Sequence, residues 1–263
     1  MRLGPGGRGA GISGPSCRVM LPVDEPPLDP ELIAYRYRDV VDRLRGAAEA
    51  GGRDPDAFRV VAITKGFGPD VVQVARAAGL SRFGENRVQE ALPKIDAIAD
   101  AEWHLVGRLQ ANKARRAAAA FTMIHSVDSI DLLRRLERIA GEEGFAPELL
   151  LQVNVTGEAS KAGFALADVE AEAARPGPLR DTLAAMASAR VTGLMTIGPF
   201  GGPAEASRAA FGRLRQLRDA LEQSLGQALP ELSMGMTADS DVAVAEGATL
   251  VRIGTAIFGP RPA

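Results

Sequence analysis

Apolar and polar positions along the chain follow two alternating periods. Short apolar runs, rich in β-branched residues and bounded by glycine, proline or charged residues, predict buried strands. Between them, apolar positions recur every three or four residues, which is typical of amphipathic helices. Eight strands alternating with helices predict a parallel sheet closed into a single TIM-type (β/α)8 barrel of the α/β class. The predicted strands are 60–64, 82–84, 103–106, 123–126, 148–155, 191–197, 231–234 and 249–253.

The helical pattern begins before the first strand, at 30–50, and the chain ends soon after the eighth strand. We therefore expect this N-terminal helix to complete the outer ring of the barrel. The other predicted helices are 71–78, 88–99, 111–120, 130–143, 166–187, 204–225 and 240–246. A doubly wound open sheet is the alternative, but no Gly-x-Gly-x-x-Gly follows the first strand.

Composition supports one barrel domain and limits the classes of molecule that the protein is expected to bind. Residues 1–27 are rich in Gly, Pro and Arg without periodicity, and predict a disordered leader before a domain at 28–263.

A net charge of -2 argues against nucleic acid and anionic membranes as partners, and no apolar run approaches the length of a membrane span. Cys17 is the single cysteine and there are two histidines, so we expect a reducing, cytoplasmic compartment and no metal cluster.

Candidate chemistry begins with Lys65, which follows the first predicted strand. In a barrel of this kind the carboxyl ends of all strands face one opening, the mouth. A lysine there has two interpretations. It can extend its stem to reach solvent, or its desolvated amine can form a Schiff base with a carbonyl compound.

The last two strands end in residues suited to an anion. Ser233 and Thr237 offer hydroxyls, and Gly254-Thr255 offers backbone N–H groups. Barrels often bind phosphate with the loops after strands seven and eight, although ordinary turn chemistry also explains the glycines. A strand-end lysine and a phosphate cradle in one mouth fit a carbonyl-bearing phosphate ester. Pyridoxal 5′-phosphate (PLP) is the commonest cofactor with both groups.

Segments spread over nearly the whole chain resemble the pyridoxal phosphate homeostasis protein family, the YggS/PROSC group of single-domain barrels. They occur in the family's order, which makes them more specific than any single motif. They are VAITK (61–65), FGENRVQE (83–90), WHLVGRLQANKAR (103–115), IHSVDS (124–129), LLLQVNVTGEASKAGF (149–164), GLMTI (193–197), LSMGMTAD (232–239) and VRIGTAIFG (251–259).

The resemblance implies a PLP-binding barrel of fold type III, with Lys65 carrying the cofactor as a Schiff base. It implies that Asn86 and His104 line the ring and that the last two strand ends hold the phosphate. Together with the residues chosen from their positions, the candidate cofactor-binding set is Lys65, Asn86, His104, Ser233, Thr237, Arg252, Gly254 and Thr255. No catalytic or metal-binding residue is assigned.

Three features leave alternatives open. Similar barrels of alanine racemases place an arginine beside the pyridine nitrogen, and Arg252 either matches it or bridges strand ends structurally. His104 is either a ring contact or a core histidine. Family members often continue from the lysine with Thr-Lys-Pro, whereas this chain has Gly-Phe-Gly-Pro at 66–69, which removes the neighbouring lysine.

The favoured function is to bind PLP in intracellular PLP homeostasis and delivery, without strong catalysis. PLP-dependent apoenzymes are the expected transient clients, and the protein is expected to be a monomer or weak homodimer. The alternative is a PLP-dependent amino-acid racemase, which needs a second base on the opposite face of the ring. The related racemases take a tyrosine from an extra domain, whereas here Tyr35 and Tyr37 lie in the first helix.

Overall fold

The computed structural model describes residues 1, 29–145, 147–158 and 160–261. The strands are β1 (Arg59–Ile63), β2 (Arg82–Glu85), β3 (Glu102–Leu105), β4 (Met123–Val127), β5 (Glu148–Asn154), β6 (Phe164–Ala165), β7 (Arg190–Met195), β8 (Glu231–Met236) and β9 (Leu250–Ile253). The helices are α1 (Pro30–Ala50), α2 (Pro69–Ala77), α3 (Val88–Ala97), α4 (Ala114–Ala120), α5 (Ile130–Glu143), α6 (Leu166–Ala174), α7 (Pro178–Ala185), α8 (Ala204–Leu225), α9 (Ser240–Ala245) and α10 (Thr255–Phe258).

Eight parallel strands form a closed barrel. Their order is β4-β3-β2-β1-β9-β8-β7-β5, and pairing between β4 and β5 closes the ring. The two-residue strand β6 adds to the end of β5, where Val153 is opposite Phe164. The predicted TIM-type barrel is therefore confirmed.

Each barrel strand buries both of its faces, as parallel strands between helices must. Alternate residues point outward into one large apolar layer beneath the helices, for example Val60 and Ala62 on β1. The intervening residues point into the barrel. The apolar residues of this inner layer are Val61, Ile63, Met123, Leu150, Met195 and Leu250, with Val106 packed against them.

Helix α1 completes the outer ring, as the sequence predicts. Asp29 caps its first turn, where the side chain accepts a hydrogen bond of 2.7 Å from the Leu32 amide, and Pro30 occupies the first helical position. The helix packs against α9, α10 and α2. It therefore lies beside β1 and β9, where the chain after β9 forms only the short helix α10.

The structure differs from the expected elements in two places. The helical region predicted over 166–187 is divided into α6 and α7, because Arg175 is extended and Pro178 starts a new helix. The segment predicted as helix over 111–120 begins with a 3₁₀ turn at Ala111–Lys113. Apart from Met1, the predicted disordered leader lies outside the described residues and stays a prediction.

Candidate cofactor-binding site

Lys65 lies at the carboxyl end of β1, as predicted. Thr64 before it is fully buried, whereas Lys65 itself is half-buried. The chain turns directly afterwards, with the Phe67 amide donating to the Thr64 carbonyl at 3.1 Å. Within the described residues, the Lys65 amine has no hydrogen-bond or ion-pair partner. Its position leaves the amine available to a molecule in the mouth.

The candidate residues occupy five neighbouring strands, in the order β3-β2-β1-β9-β8, with His104 on β3. Ile63 is opposite Gly84 across one side of β1, and Ala62 is opposite Ile253 across the other. Continuing these registers places Asn86 beside Lys65, and Gly254 beside Ile63, two residues before Lys65. Asn86, Lys65 and Gly254 therefore lie close to one another around the carboxyl end of β1.

The predicted phosphate cradle comprises the end of β8 and the loops after β8 and β9, and its role stays a prediction. Gly235 adopts φ 88°, and a Cβ there would lie 2.5 Å from the Ala243 side chain, so this position requires glycine. The Asp239 side chain accepts from the Met236 amide at 2.6 Å and fixes the loop. Thr237 and Thr255 are both exposed. Their hydroxyls can therefore reach an anion without disrupting the core.

Ser233 and Arg252 lie deeper, inside the barrel. Both are buried, and Arg252 Nη1 donates to Ser233 Oγ at 2.6 Å. A second nitrogen, Nη2, donates to the Thr196 carbonyl at 2.8 Å. Burial lowers the pKa of Arg252 to about 10, which leaves the guanidinium charged at neutral pH. Arg252 is thus held by partners on β8 and at the end of β7, and the prediction that Ser233 holds phosphate stays a prediction.

His104 occupies the barrel interior and contacts a residue that the sequence analysis did not select. Its Nδ1 lies 2.9 Å from Nε2 of His125, and His125 Nδ1 lies 2.8 Å from Ser233 Oγ. Burial lowers the pKa of His104 and lowers that of His125 well below its ordinary value, so both rings are neutral at pH 7. His104 therefore connects to the candidate site through a chain of side chains, and its predicted role in lining the ring remains untested.

A second group of residues missed by the sequence analysis supports Lys65 from outside the barrel. Lys94 of α3 places its Nζ 2.5 Å from Glu85 Oε1 and 2.8 Å from the Thr64 carbonyl. Thr64 Oγ1 also donates to Glu85 Oε1 at 2.5 Å. All three side chains are buried. This ion pair links the carboxyl ends of β1 and β2, which are followed by Lys65 and Asn86.

Asn86 also borders a cleft of about 890 Å³ between α3, α4 and α5. Lys113 lines this cleft too, together with residues that follow the carboxyl ends of β3 and β4. The described residues contain no cluster of three or more His, Cys, Asp or Glu side chains that could hold a metal ion. No helix in the described part of the chain is both long and apolar enough to cross a membrane.

Comparisons with known proteins identify the family and the fold. Residues 42–262 match the family model described as alanine racemase, N-terminal domain. The pyridoxal phosphate homeostasis protein of Pseudomonas aeruginosa is 43% identical over 232 residues, covering 87% of this chain and 96% of the relative. The solved structure of PipY from Synechococcus elongatus with PLP bound is 39% identical, with a TM-score of 0.73, covering 86% of this chain and all of that one.

More distant structures share the fold alone. Alanine racemase from Corynebacterium glutamicum is 16% identical with a TM-score of 0.66. The match covers 90% of this chain and 63% of the racemase chain. The racemase therefore contains a substantial part with no counterpart in this alignment.

Proposed function

Because the chain belongs to the pyridoxal phosphate homeostasis protein family, we propose that it holds PLP as a Schiff base on Lys65. Its proposed role is intracellular PLP homeostasis and delivery to apoenzymes in the cytoplasm, without strong catalysis of its own. The observation that carries the proposal is the Lys65 amine, which is unpartnered among the described residues and follows β1, directly beside the loop at Gly254 after β9. The barrel is similar to that of PLP-bound PipY.

The residues present fit the cofactor. Gly254 lies against β1, where a Cβ would be 3.3 Å from the Ile63 carbonyl oxygen, so the backbone after β9 approaches the base of Lys65 closely. Thr237 and Thr255 supply exposed hydroxyls for the phosphate group. Arg252 supplies a fixed positive charge below them. PLP supplies an aldehyde for the lysine and an aromatic ring that can withdraw electrons.

The other lysines are poorly placed for the same role. The chain has four lysines, and Lys94 is buried in its ion pair with Glu85. Lys161 donates to Glu158 Oε1 at 2.6 Å and to the Gly198 carbonyl at 2.9 Å. Lys113 lines the cleft between α3, α4 and α5. The engaged amines of Lys94 and Lys161 support Lys65 as the attachment point.

Weak catalysis follows from the distribution of possible bases. Both tyrosines of the chain, Tyr35 and Tyr37, are on α1, which packs on the outside of the barrel. Both histidines, His104 and His125, are buried inside it. Racemisation needs proton donors on both faces of the ring. Lys65 supplies one, and none of these four residues supplies a second in the mouth.

Borohydride reduction of the protein loaded with PLP, followed by peptide mass spectrometry, tests the proposal. The adduct is expected on the peptide that contains Lys65 and should be absent from Lys65→Ala. The matched control, Lys113→Ala, should retain it. Lys65→Ala should still bind some PLP, because charge-assisted hydrogen bonds to the phosphate contribute about 1.5–3 kcal/mol each.

Two results would contradict the proposal. An adduct on Lys94, Lys113 or Lys161 would refute the site. Racemisation of an amino acid at about 1–1000 per second, the ordinary enzymatic range, would instead establish the alternative function of an amino-acid racemase.

A further inference from the structure

A continuous chain of buried polar side chains crosses the interior of the barrel. It runs from Arg252 through Ser233 and His125 to His104, with successive separations of 2.6, 2.8 and 2.9 Å. Each of these residues is at most 5% exposed. On the other side of the His104 ring, His104 Nε2 lies 3.8 Å from Oε2 of Glu102, the first residue of β3. We call these five residues the polar relay.

Arg252 determines the direction of the hydrogen bonds. A guanidinium has donors only, so Ser233 Oγ must accept from it. The Ser233 hydroxyl hydrogen then has one acceptor among the described residues, His125 Nδ1. His125 must therefore carry its own hydrogen on Nε2 and donate it to His104 Nδ1.

The contact between His104 and Glu102, at the other end of the relay, favours the same direction of hydrogen bonds. With Nδ1 as acceptor, neutral His104 carries its hydrogen on Nε2, which faces the Glu102 carboxylate. The opposite order would turn a nitrogen lone pair toward that carboxylate. It would also leave the Ser233 hydroxyl hydrogen buried without an acceptor, which is costly. Both histidines are thereby assigned as neutral Nε2–H tautomers.

We propose that His125, supported by His104, is a positioning residue that acts through Ser233 to fix Arg252 for its contact with PLP. This inference rests on the proposed function. His125 is suited to the role because it holds the Ser233 hydroxyl hydrogen away from Arg252. The serine oxygen then always accepts from Nη1, and the guanidinium keeps one orientation.

The surroundings of the histidine pair keep the relay in this state. Arg59 of β1, Arg82 of β2 and Arg252 of β9 each disfavour a further positive charge on the rings, and only Glu102 of β3 favours one. A proton added to His125 would place an N–H against the Ser233 hydroxyl and a cation beside Arg252. We therefore expect both rings to be neutral at pH 7 and to gain a proton only below the ordinary histidine pKa of about 6.5.

The first test uses the wild-type protein without PLP, so it does not depend on the proposed function. In ¹⁵N-histidine NMR spectra at pH 7 and above, both rings should give the pattern of the neutral Nε2–H tautomer. An Nδ1–H tautomer at His125, or a pKa of either ring at or above the ordinary histidine value of about 6.5, would overturn the assignment.

The second test compares variants that cut the relay on different sides of His125. His125→Asn keeps an acceptor near the position of Nδ1 and so preserves the bond from Ser233. His125→Gln keeps a polar atom near the position of Nε2 and loses that bond. We expect His125→Gln and Ser233→Ala each to weaken PLP binding about tenfold, the loss of roughly one hydrogen bond. His125→Asn should remain close to wild type.

Two further readouts separate positioning from a general loss of stability. The double variant Ser233→Ala/His125→Gln should bind no more weakly than the worse single variant, because both interrupt one path. The pH dependence of the bound-PLP absorption should shift in these variants. It should stay unchanged in Leu221→Ala, which perturbs the core beneath α8.

These outcomes distinguish the relay from the proposed function. Wild-type protein that binds PLP on Lys65, with His125→Gln and Ser233→Ala variants of unchanged affinity and spectrum, would overturn the relay and leave the function intact. Failure of wild type to form the Lys65 adduct would refute the function. If His125→Gln does not fold, Ser233→Ala and the wild-type NMR spectra decide the question.

Discussion

Lys94→Met should strongly destabilise the protein, because it removes one partner of a buried ion pair. Lys94 is 3% exposed and Glu85 is fully buried, with 2.5 Å between Nζ and Oε1. Methionine preserves most of the side-chain volume but leaves the carboxylate without its counter-charge. The second oxygen, Glu85 Oε2, has no hydrogen-bond partner among the described residues even in the wild type.

The magnitude follows from the burial. Removing one partner of a buried ion pair costs about 3–5 kcal/mol. The Thr64 carbonyl also loses its 2.8 Å hydrogen bond from Nζ, which adds roughly 1 kcal/mol. The total is about 4–6 kcal/mol, and for a protein of this size each kcal/mol lowers Tm by about 2–4 °C, so a decrease of about 8–24 °C is expected.

Urea unfolding and thermal melts of three variants test this reasoning. Glu85→Gln alone should also be destabilised, because Lys94 would be left as an uncompensated cation. The double variant Glu85→Gln/Lys94→Met contains no buried charge, and Gln can still accept from Thr64 Oγ1. It should recover most of the loss. A Lys94→Met variant within about 1 kcal/mol of wild type, or additive effects in the double variant, would refute the argument.

Two further predictions concern acid stability and strand packing. His104 and Arg82 together outweigh the opposing effect of burial and lower the pKa of Glu102 from 4.5 to about 2. Arg82 Nε is the nearer partner, at 2.7 Å against 3.8 Å for His104 Nε2. A carboxyl with a lowered pKa stabilises the fold above pH 4.5, and this contribution is lost as the pH falls toward 2. Glu102→Gln should therefore reduce the slope of the free energy of unfolding against pH on the acid side. An unchanged slope would contradict this. Gly193→Ala would place a Cβ 1.9 Å from the Glu231 carbonyl oxygen on β8 and should cost about 1–3 kcal/mol in urea unfolding. Gly46→Ala on α1 is the control, because the added Cβ would have no neighbouring atom within 4 Å. It should stabilise the protein by about 0.5–1 kcal/mol. Equal effects of the two changes would refute the packing argument.

The fold was predictable because its signals are local. Helix α1 was predicted with its observed bounds, since Asp29, Pro30 and Gly51 provide start and stop signals within the helix itself. The same holds for α5, between the Ser129 cap and left-handed Gly144. The predicted division of the chain into eight strands needed only the recurrence of apolar runs.

The polar interior was less predictable, because its partners are far apart in sequence. His125 and Ser233 are 108 positions apart, and Ser233 and Arg252 are 19 apart. Alternation along β4 does place His125 on the same inward face as Met123, which is a signal that could have been used. Which inward residue it contacts depends on the pairing of strands around the barrel, and the sequence alone does not determine that.

The missed ion pair shows how a boundary error of one residue hides a functional group. The second strand was predicted to end at residue 84, which put Glu85 in the mouth with Asn86. In the structure Glu85 is the last residue of β2, and alternation turns it outward, toward Lys94 on α3.

The buried ion pair and the polar relay act on the candidate site from opposite sides of the sheet. Outside the barrel, Lys94 binds the carbonyl of the residue before Lys65. Inside it, Ser233 binds the guanidinium of Arg252. Buried polar groups cost free energy unless they are fully paired, so apolar side chains at either position would stabilise the fold at a lower desolvation cost. That cost is accounted for if both groups serve to hold a lysine and an arginine rigidly on adjacent strands, where one small molecule can contact both.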